Sequence, residues 1–409
     1  MVTARQTSPN PSTEGAIQIS YDHLVLLMPR NTIEELDFLS SQLQSTTHSC
    51  QINSARGVST YKIDFRNVAI EEEGAAGWQW AIRNIPELRE SKGLTGVIDI
   101  GGGNVNFSVF GGSNSLNYSQ FSRLVTDYGV QSLLNMLVND ERFPALCHEN
   151  GLKKIPSADY LQKTITDGSF CIGQSGHKFS YRSLFDDVAL KWIDFILSTG
   201  IGHWRNGLTD LDYIDLAQIL FLGGGSAIVG LMEQVSDDGE NSMPVIVPGN
   251  SAEAKNYQLA NALGVLHFPE YKDPSKSVLV VDCGNHALKI VARIKGRIYS
   301  YIGSSMSGTP SGSLLKMKDA ESRRKFHSAP GEPETFGLSL FSGKVFEQYR
   351  SRKEEVSWIL GDSVHFHSSL PRAAHRQGAE GKINLVPVAA IGSAYLIDQQ
   401  MIGEQNESV

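Results

Sequence analysis

Two widely separated segments of this 409-residue chain, 96–119 and 277–303, share one plan, and that repetition constrains the fold more than any other feature. Each begins with a run of β-branched residues that ends in an aspartate, Asp99 in one and Asp282 in the other. A glycine-containing turn, a second strand and a second tight turn follow. The pattern predicts a β-hairpin extended by a third strand, present twice.

The first turn of each hairpin has the composition of a phosphate-binding loop. Glycine lets backbone N–H groups approach phosphate oxygens without a Cβ in the way. The aspartate at the strand end can hold Mg²⁺ through its water shell, and Lys289 in the following strand can reach a phosphate oxygen. Ordinary turn chemistry explains a single copy, whereas two copies can clamp one phosphate chain. The candidate turn residues are Gly101, Gly102, Gly103 and Asn104 in the first copy, and Gly284, Asn285 and His286 in the second.

A third element lies between the hairpins. An apolar strand ending near Phe221 leads into residues 222–235, which predict a glycine-rich turn followed by a helix. Such a turn lets a base or ribose lie against the backbone, and the helix N-terminus favours anions. The simpler interpretation is a plain strand–helix turn. The candidate residues here are Gly223, Gly224, Gly225 and Ser226.

Composition excludes several classes of protein. The net charge of −8 argues against direct binding along a nucleic-acid backbone. The four cysteines are sparse and lack zinc spacing, which favours a reduced, cytoplasmic setting. We expect no signal peptide and no membrane span, because residues 1–16 are polar and the most apolar stretch, 216–232, is broken by glycines. Residues 1–16 are expected to form a disordered tail.

Two further patterns concern the core and the surface. Leu184, Val188, Trp192 and Ile196 recur at helical spacing and predict an amphipathic core helix. Trp78 and Trp80 are interpreted as core residues rather than base-stacking ones, like Trp192. The long polar stretch 305–337 carries a basic cluster and predicts either a solvated loop or a contact site for a neighbouring subunit or an acidic partner.

These motifs together resemble the superfamily of actin, heat-shock chaperones and sugar kinases, most closely its ParM/StbA group of actin-like proteins. VIDIGGGNVNFSVF (97–110) resembles the phosphate-2 motif, and FLGGGSAIVGLM (221–232) resembles the adenosine motif. Residues 247–266 resemble the connect-2 segment, with Asn261, Ala262 and Gly264 at matching places. VLVVDCGNHALKIV (278–291) resembles phosphate 1.

The resemblance implies an α/β, actin-like (ribonuclease H-like, duplicated) two-domain fold with a central nucleotide cleft. The order of motifs departs from the family, because phosphate 1 comes last instead of first. We therefore expect a circular permutation. Domain I would comprise residues 17–90 with 275–409, and domain II would comprise residues 91–274.

The family places a Glu or Gln that orients the attacking water just before phosphate 2. Alignment with that pattern selects Glu73, but Glu72 stands where proline is usual, so the register stays open among Glu71, Glu72 and Glu73. The alternative is that all three are an exposed acidic start of a helix.

The function that the resemblance implies is an ATPase or GTPase with Mg²⁺. Asp99 and Asp282 would hold the hydrated metal or the lytic water, with Glu73 as the third catalytic residue and Lys289 neutralising charge. The chain would polymerise with itself into cytoplasmic filaments, for plasmid segregation through a DNA-binding adaptor protein or for a related cytoskeletal role. Alternatives are a monomeric metabolite kinase of the same superfold, which needs a second polar pocket, and a non-hydrolysing scaffold.

Overall fold

The fold is known from a computed structural model. It describes residues 16–28, 47–54, 57–90, 93–111, 120–166, 168–174, 177–232, 243–248, 257–283 and 287–304, with short pieces within 40–44, 335–336, 356–359, 365–368 and 390–401. The predicted tail up to residue 15 lies outside the described residues, and so does the 305–337 stretch except for Thr335 and Phe336, which form a short strand.

The strands begin with three long ones near the N-terminus and end with a group near the C-terminus. They are β1 Ile17–Met28, β2 His48–Ser54, β3 Gly57–Glu72, β4 Leu94–Ile100, β5 Val105–Phe110, β6 Gln120–Thr126, β7 Cys171–Gln174, β8 His177–Ser180, β9 Leu216–Leu222, β10 Val245–Ile246, β11 Val278–Cys283, β12 Ala287–Ile294, β13 Arg297–Ser304, β14 Thr335–Phe336, β15 Val356–Ile359 and β16 His365–Ser368.

The helices lie mostly in the middle of the chain. They are α1 Glu73–Asn84, α2 Pro86–Glu90, α3 Val130–Asn139, α4 Arg142–Glu149, α5 Ala158–Thr166, α6 Arg182–Gly207, α7 Asp210–Ile214, α8 Ser226–Gly230 and α9 Ala260–Val265, the last preceded by a 3-10 turn at Tyr257–Leu259. None of the helices in the described part of the chain has the length and apolar character needed to cross a membrane.

The chain divides into two compact units. The first unit comprises Met1–Glu72 and Val265–Val409, and the second comprises Glu73–Gly264. The chain therefore passes from one unit to the other at 72/73 and at 264/265. These positions differ from the expected domain limits at 90/91 and 274/275, so that α1 and α2 belong to the second unit.

Each unit contains one large sheet, so the fold is mixed α/β with two sheets. The sheet of the first unit has the order β13-β12-β11-β1-β3-β2-β16-β15-β14. The sheet of the second unit has the order β10-β9-β4-β5-β6. A separate hairpin pairs β7 with β8.

The two sheets share a five-strand arrangement. In the second unit, β4 is antiparallel to β5, β5 is antiparallel to β6, and β4, β9 and β10 are parallel. In the first unit, β11 is antiparallel to β12, β12 is antiparallel to β13, and β11, β1 and β3 are parallel. The chain order differs, because the antiparallel strands come first in the second unit and last in the first unit.

Both predicted hairpins are therefore confirmed, each with its third strand. In the second segment, β12 turns into the third strand, β13, at Lys295 and Gly296. Both residues have positive φ (52° and 76°), as a two-residue turn that matches the strand twist requires. Asp99 pairs with Asn106 across the first hairpin, and Asp282 pairs with Lys289 across the second. The partner follows its aspartate by seven residues in each case, so the two hairpins have the same register.

The core of the second unit confirms the helical pattern. Helix α6 buries Leu184, Val188, Trp192 and Ile196 against the sheet side chains, as the spacing predicted. The indole N–H of Trp192 donates to the backbone carbonyl of Tyr128 at 2.9 Å, which satisfies its polar atom. Trp78 and Trp80 of α1 are also fully buried, and their predicted core role is confirmed.

Candidate functional site

Asp99 lies on the central strand of the second unit's sheet. Strand β4 is flanked by β5 and β9, and its neighbours Ile98 and Ile100 are fully buried. Asp99 itself is only 4% exposed, and its Oδ2 accepts a hydrogen bond of 2.7 Å from Nδ2 of Asn261. A buried carboxylate is costly unless its oxygens are hydrogen-bonded, and Asn261 supplies one such bond.

The turn after β4 is closed by backbone hydrogen bonds. The N–H of Gly101 donates to the carbonyl of Asn104 at 2.8 Å. The first N–H groups of α3 donate to the same turn, from Val130 to Gly101 at 3.1 Å and from Gln131 to Gly102 at 2.8 Å. A Cβ on Gly129 would lie 2.7 Å from the backbone of this turn, so only glycine fits there.

The predicted adenosine turn lies directly beside Asp99. Because β9 runs parallel to β4, Leu222 is the register partner of Asp99, and the turn after β9 meets the turn after β4. Gly225 N–H donates to the carbonyl of Ile100 at 2.9 Å, and Ser226 Oγ donates to the carbonyl of Gly223 at 2.7 Å. The strand–turn–helix prediction for this segment is confirmed.

Gly223 is the tightest point of this turn. Its φ is +77°, and a Cβ would come closer than 3.0 Å to both Asp99 Oδ1 and the carbonyl of Ile100. We predict that Gly223→Ala destabilises the protein by about 1–3 kcal/mol, since strain and overpacking add. The matched control is Gly224→Ala, where a Cβ meets nothing within 4 Å. Equal unfolding midpoints for the two variants would contradict the prediction.

The acidic run 71–73 is divided between a strand and a helix. Glu71 and Glu72 end β3, and Glu73 begins α1, so the run is not one helix start. Glu73 Oε2 accepts from Nδ2 of Asn106 at 3.2 Å, and Asn106 is the cross-strand partner of Asp99. Glu73 is thereby linked to the first hairpin within the second unit.

Glu71 has a different partner, in the first unit. Its Oε1 accepts from the hydroxyl of Tyr271 at 2.8 Å. Burial raises the pKa of Glu71, and the Tyr271 hydrogen bond offsets part of that rise. The hydrogen bond from Tyr271 accounts for the half-buried position of the Glu71 carboxyl without a catalytic role.

The second hairpin places Asp282 at the end of β11 in the first unit. Asp282 is 2% exposed, and Lys289 Nζ lies 2.8 Å from its Oδ2. The predicted phosphate-binding lysine thus forms an ion pair with the predicted metal-binding aspartate. The remaining predicted turn residues, Gly284, Asn285 and His286, lie outside the described residues.

Two asparagines and one glycine of this site were given no role by sequence reasoning. Asn106 and Asn261 each donate to a carboxylate, and Gly129 makes room for the first turn. Asn261 had been noted only as a match to the connect-2 pattern. The register of the hairpin could have revealed Asn106, because Asp99 fixes its cross-strand partner.

The donor set fits Mg²⁺ held through water and phosphate oxygens. Within the described ranges, no three His, Cys, Asp or Glu side chains come together as a metal cage. Mg²⁺ commonly takes only one or two carboxylates and keeps several waters. Asp99 supplies such a carboxylate, and Oδ1 of Asn106, 8% exposed as a residue, is a buried oxygen without a hydrogen-bond partner among the described residues.

No protein-family profile and no curated protein matches the chain. The chain is similar to solved structures of actin-like proteins. An archaeal actin homolog in complex with ADP is 12% identical over 61% of this chain and 72% of that chain, with a TM-score of 0.45. A 15-stranded ParM filament from Clostridium botulinum is 17% identical over 60% and 66%, with a TM-score of 0.44. The actin-like protein Alp7A is 15% identical over 61% and 66%, with a TM-score of 0.46.

Proposed function

We propose that the chain is an actin-like nucleoside-triphosphate hydrolase that binds Mg²⁺ with ATP or GTP and polymerises. The observation that supports it most is the repeated hairpin. In both units, a buried aspartate lies at the end of the first strand of the same five-strand arrangement, and Asp99 lies beside two glycine-rich turns. Two such hairpins serving one triphosphate explain why Asp99 and Asp282 occupy equivalent positions.

A circular permutation explains the order of the strands. If the antiparallel strands β11, β12 and β13 preceded β1 and β3 in the chain, the first unit would have the strand order of the second unit. Moving them to the end leaves every strand pairing intact, because β1 pairs with β11 in parallel whichever comes first. Permutations of this kind are tolerated where the new and old termini lie in exposed loops.

The proposed reaction relies on positioning and electrostatics. The backbone N–H groups of Gly101–Asn104 and Gly284–His286 hold the phosphates, and the turn at Gly223–Ser226 receives the ribose or base. Asp99 and Asp282 hold the hydrated metal or the lytic water. Lys289 exchanges its ion pair with Asp282 for the phosphate oxygens. Mg²⁺, when bound, would neutralise the charge that develops on the leaving phosphate.

Glu73 is the proposed residue that orients the attacking water. It is joined through Asn106 to the strand pair that carries Asp99, whereas Glu71 is engaged by Tyr271. In-line attack needs a carboxylate held close to the phosphates, and Glu73 is the one that is linked to the hairpin carrying Asp99. We therefore place Glu73 ahead of Glu71 and Glu72 in this role.

Self-assembly is the second half of the proposal. The sequences of phosphate 2, the adenosine motif and connect 2 resemble the ParM/StbA group, whose members form filaments. A cytoplasmic filament that moves plasmid DNA through an adaptor protein, with no direct contact to nucleic acid or membrane, accords with the net charge of −8. Contacts between copies that do not close into a ring generate such filaments.

Light scattering after addition of Mg²⁺ with ATP or GTP tests the assembly. We expect scattering to rise with protein concentration above a threshold, and electron microscopy to show filaments. EDTA added beforehand should prevent the rise. Turnover of nucleotide without polymer over a broad range of salt and pH would contradict the filament and leave the hydrolase.

A further inference from the structure

Asn261 makes a contact that its place in the chain does not predict. It lies on α9 and is 5% exposed, and its Nδ2 donates to Oδ2 of Asp99, 162 residues away in the sequence. The donor and acceptor atoms are 2.7 Å apart. Asn261 and Asp99, two buried residues from distant elements, are thus held at hydrogen-bond distance.

The orientation of the Asn261 amide follows from chemistry. An ionised carboxylate only accepts hydrogen bonds, so the NH₂ group of Asn261 must face Asp99. The Oδ1 atom then faces α1, where a Cβ on Gly77 would come closer than 3.0 Å to it. This Oδ1 has no hydrogen-bond partner among the described residues. The Asn261 side chain therefore lies between Asp99 and the backbone of α1.

Helices α1 and α9 also contact each other closely. A Cβ on Gly264 would overlap the carbonyl oxygen of Ala76, so the two backbones touch. Helix α1 begins at the first crossing of the chain between units, 72/73, and α9 lies at the second, 264/265. Any displacement of α9 along α1 would move Asn261 and with it the donor to Asp99.

We infer that Asn261 is a positioning residue for Asp99, which fixes the carboxylate's orientation and ties it to the packing of α9 on α1. This inference rests on the proposed hydrolase function. A group that acts through another residue, as Asn261 does, commonly contributes about ten- to a hundredfold to activity.

A replacement of similar size separates the positioning role from a structural one. Asn261→Leu keeps roughly the volume of the side chain but removes the amide donor to Asp99. We expect it to lower kcat as Asn261→Ala does, with a smaller change in KM. If Asn261 only filled space between α9 and its neighbours, the variant that keeps the volume would retain turnover.

The experiment measures kcat and KM for nucleotide turnover, and the unfolding midpoint, for the full chain, Asn261→Leu, Asn261→Ala and a control, Gln218→Ala. Gln218 is a matched control because it is buried on β9 and donates an amide hydrogen bond of 3.0 Å to Thr95 on β4. We expect both Asn261 variants to lower kcat about ten- to a hundredfold with a smaller change in KM. Gln218→Ala should lower the unfolding midpoint without this loss of kcat.

The outcomes separate the two claims. If the unmodified chain turns over nucleotide but both Asn261 variants match Gln218→Ala in kcat and KM, Asn261 is structural and the inference is wrong. The same holds if the Asn261 variants only lower the unfolding midpoint. If the unmodified chain neither binds nor hydrolyses nucleotide, the proposed function fails and the inference falls with it.

Discussion

Replacing Asp99 by alanine should lower nucleotide turnover by a factor of about 10² to 10³. This is the effect of losing one group that stabilises charge in the transition state. Asp99 is buried at the end of β4 beside both glycine-rich turns, so bulk water cannot take over the role of its carboxylate. Asn261 would also lose its acceptor, since its Nδ2 donates to Asp99. Steady-state hydrolysis of ATP and GTP measures the loss.

Two controls accompany this variant. Asp99→Asn keeps the volume and removes the charge, so it should lose turnover with less loss of stability. Asp187→Ala removes an exposed aspartate of the same unit that pairs with Arg142 at 2.7 Å. Exposed pairs contribute about 0–1 kcal/mol, so this variant should retain turnover. Unchanged hydrolysis in Asp99→Ala would refute the role of Asp99.

Gly264→Ala should cause a large loss of stability in the second unit. A Cβ at Gly264 would overlap the carbonyl oxygen and the carbonyl carbon of Ala76, which are backbone atoms and cannot rotate away. Helix α9 would have to move off α1. We expect a destabilisation of about 3 kcal/mol or more, at the upper end of overpacking effects, and an unfolding midpoint lowered by roughly 5 °C or more.

The control for this change is Gly202→Ala within α6. A Cβ there meets nothing within 4 Å, so the same substitution in a helix should stabilise by about 0.5–1 kcal/mol. Thermal unfolding followed by circular dichroism compares the two. A Gly264→Ala midpoint equal to that of the unmodified chain would show that α1 and α9 do not pack as closely as described.

Local patterns were sufficient for the hairpins and for the longest helix. The alternation of β-branched residues around Asp99 and Asp282, the turn at Lys295 and Gly296, and the helical spacing from Leu184 each involve residues close in sequence. Such signals depend on backbone preferences and on burial of one face, and both can be recognised in one segment. The strand–turn–helix element around Gly223 was predicted for the same reason.

Contacts between distant segments could not be predicted in this way. Two hydrogen bonds illustrate this. Asn261 donates to Asp99, and Asp22 accepts from Ser277, which is 255 residues away. Both bonds depend on how the sheets assemble. The sequence left the register open among Glu71, Glu72 and Glu73, because three consecutive glutamates carry no local signal for where β3 ends and α1 begins. Strand β3 continues through Glu72 because it pairs with β1 up to Met28.

The most direct test of the central claim is a structure of the chain with Mg²⁺ and a slowly hydrolysed triphosphate. The account predicts one nucleotide per chain, with residues 99–104 and 282–289 both contacting its phosphates and the turn at 223–226 contacting its ribose or base. A nucleotide that touches one hairpin alone, or none, would contradict the account.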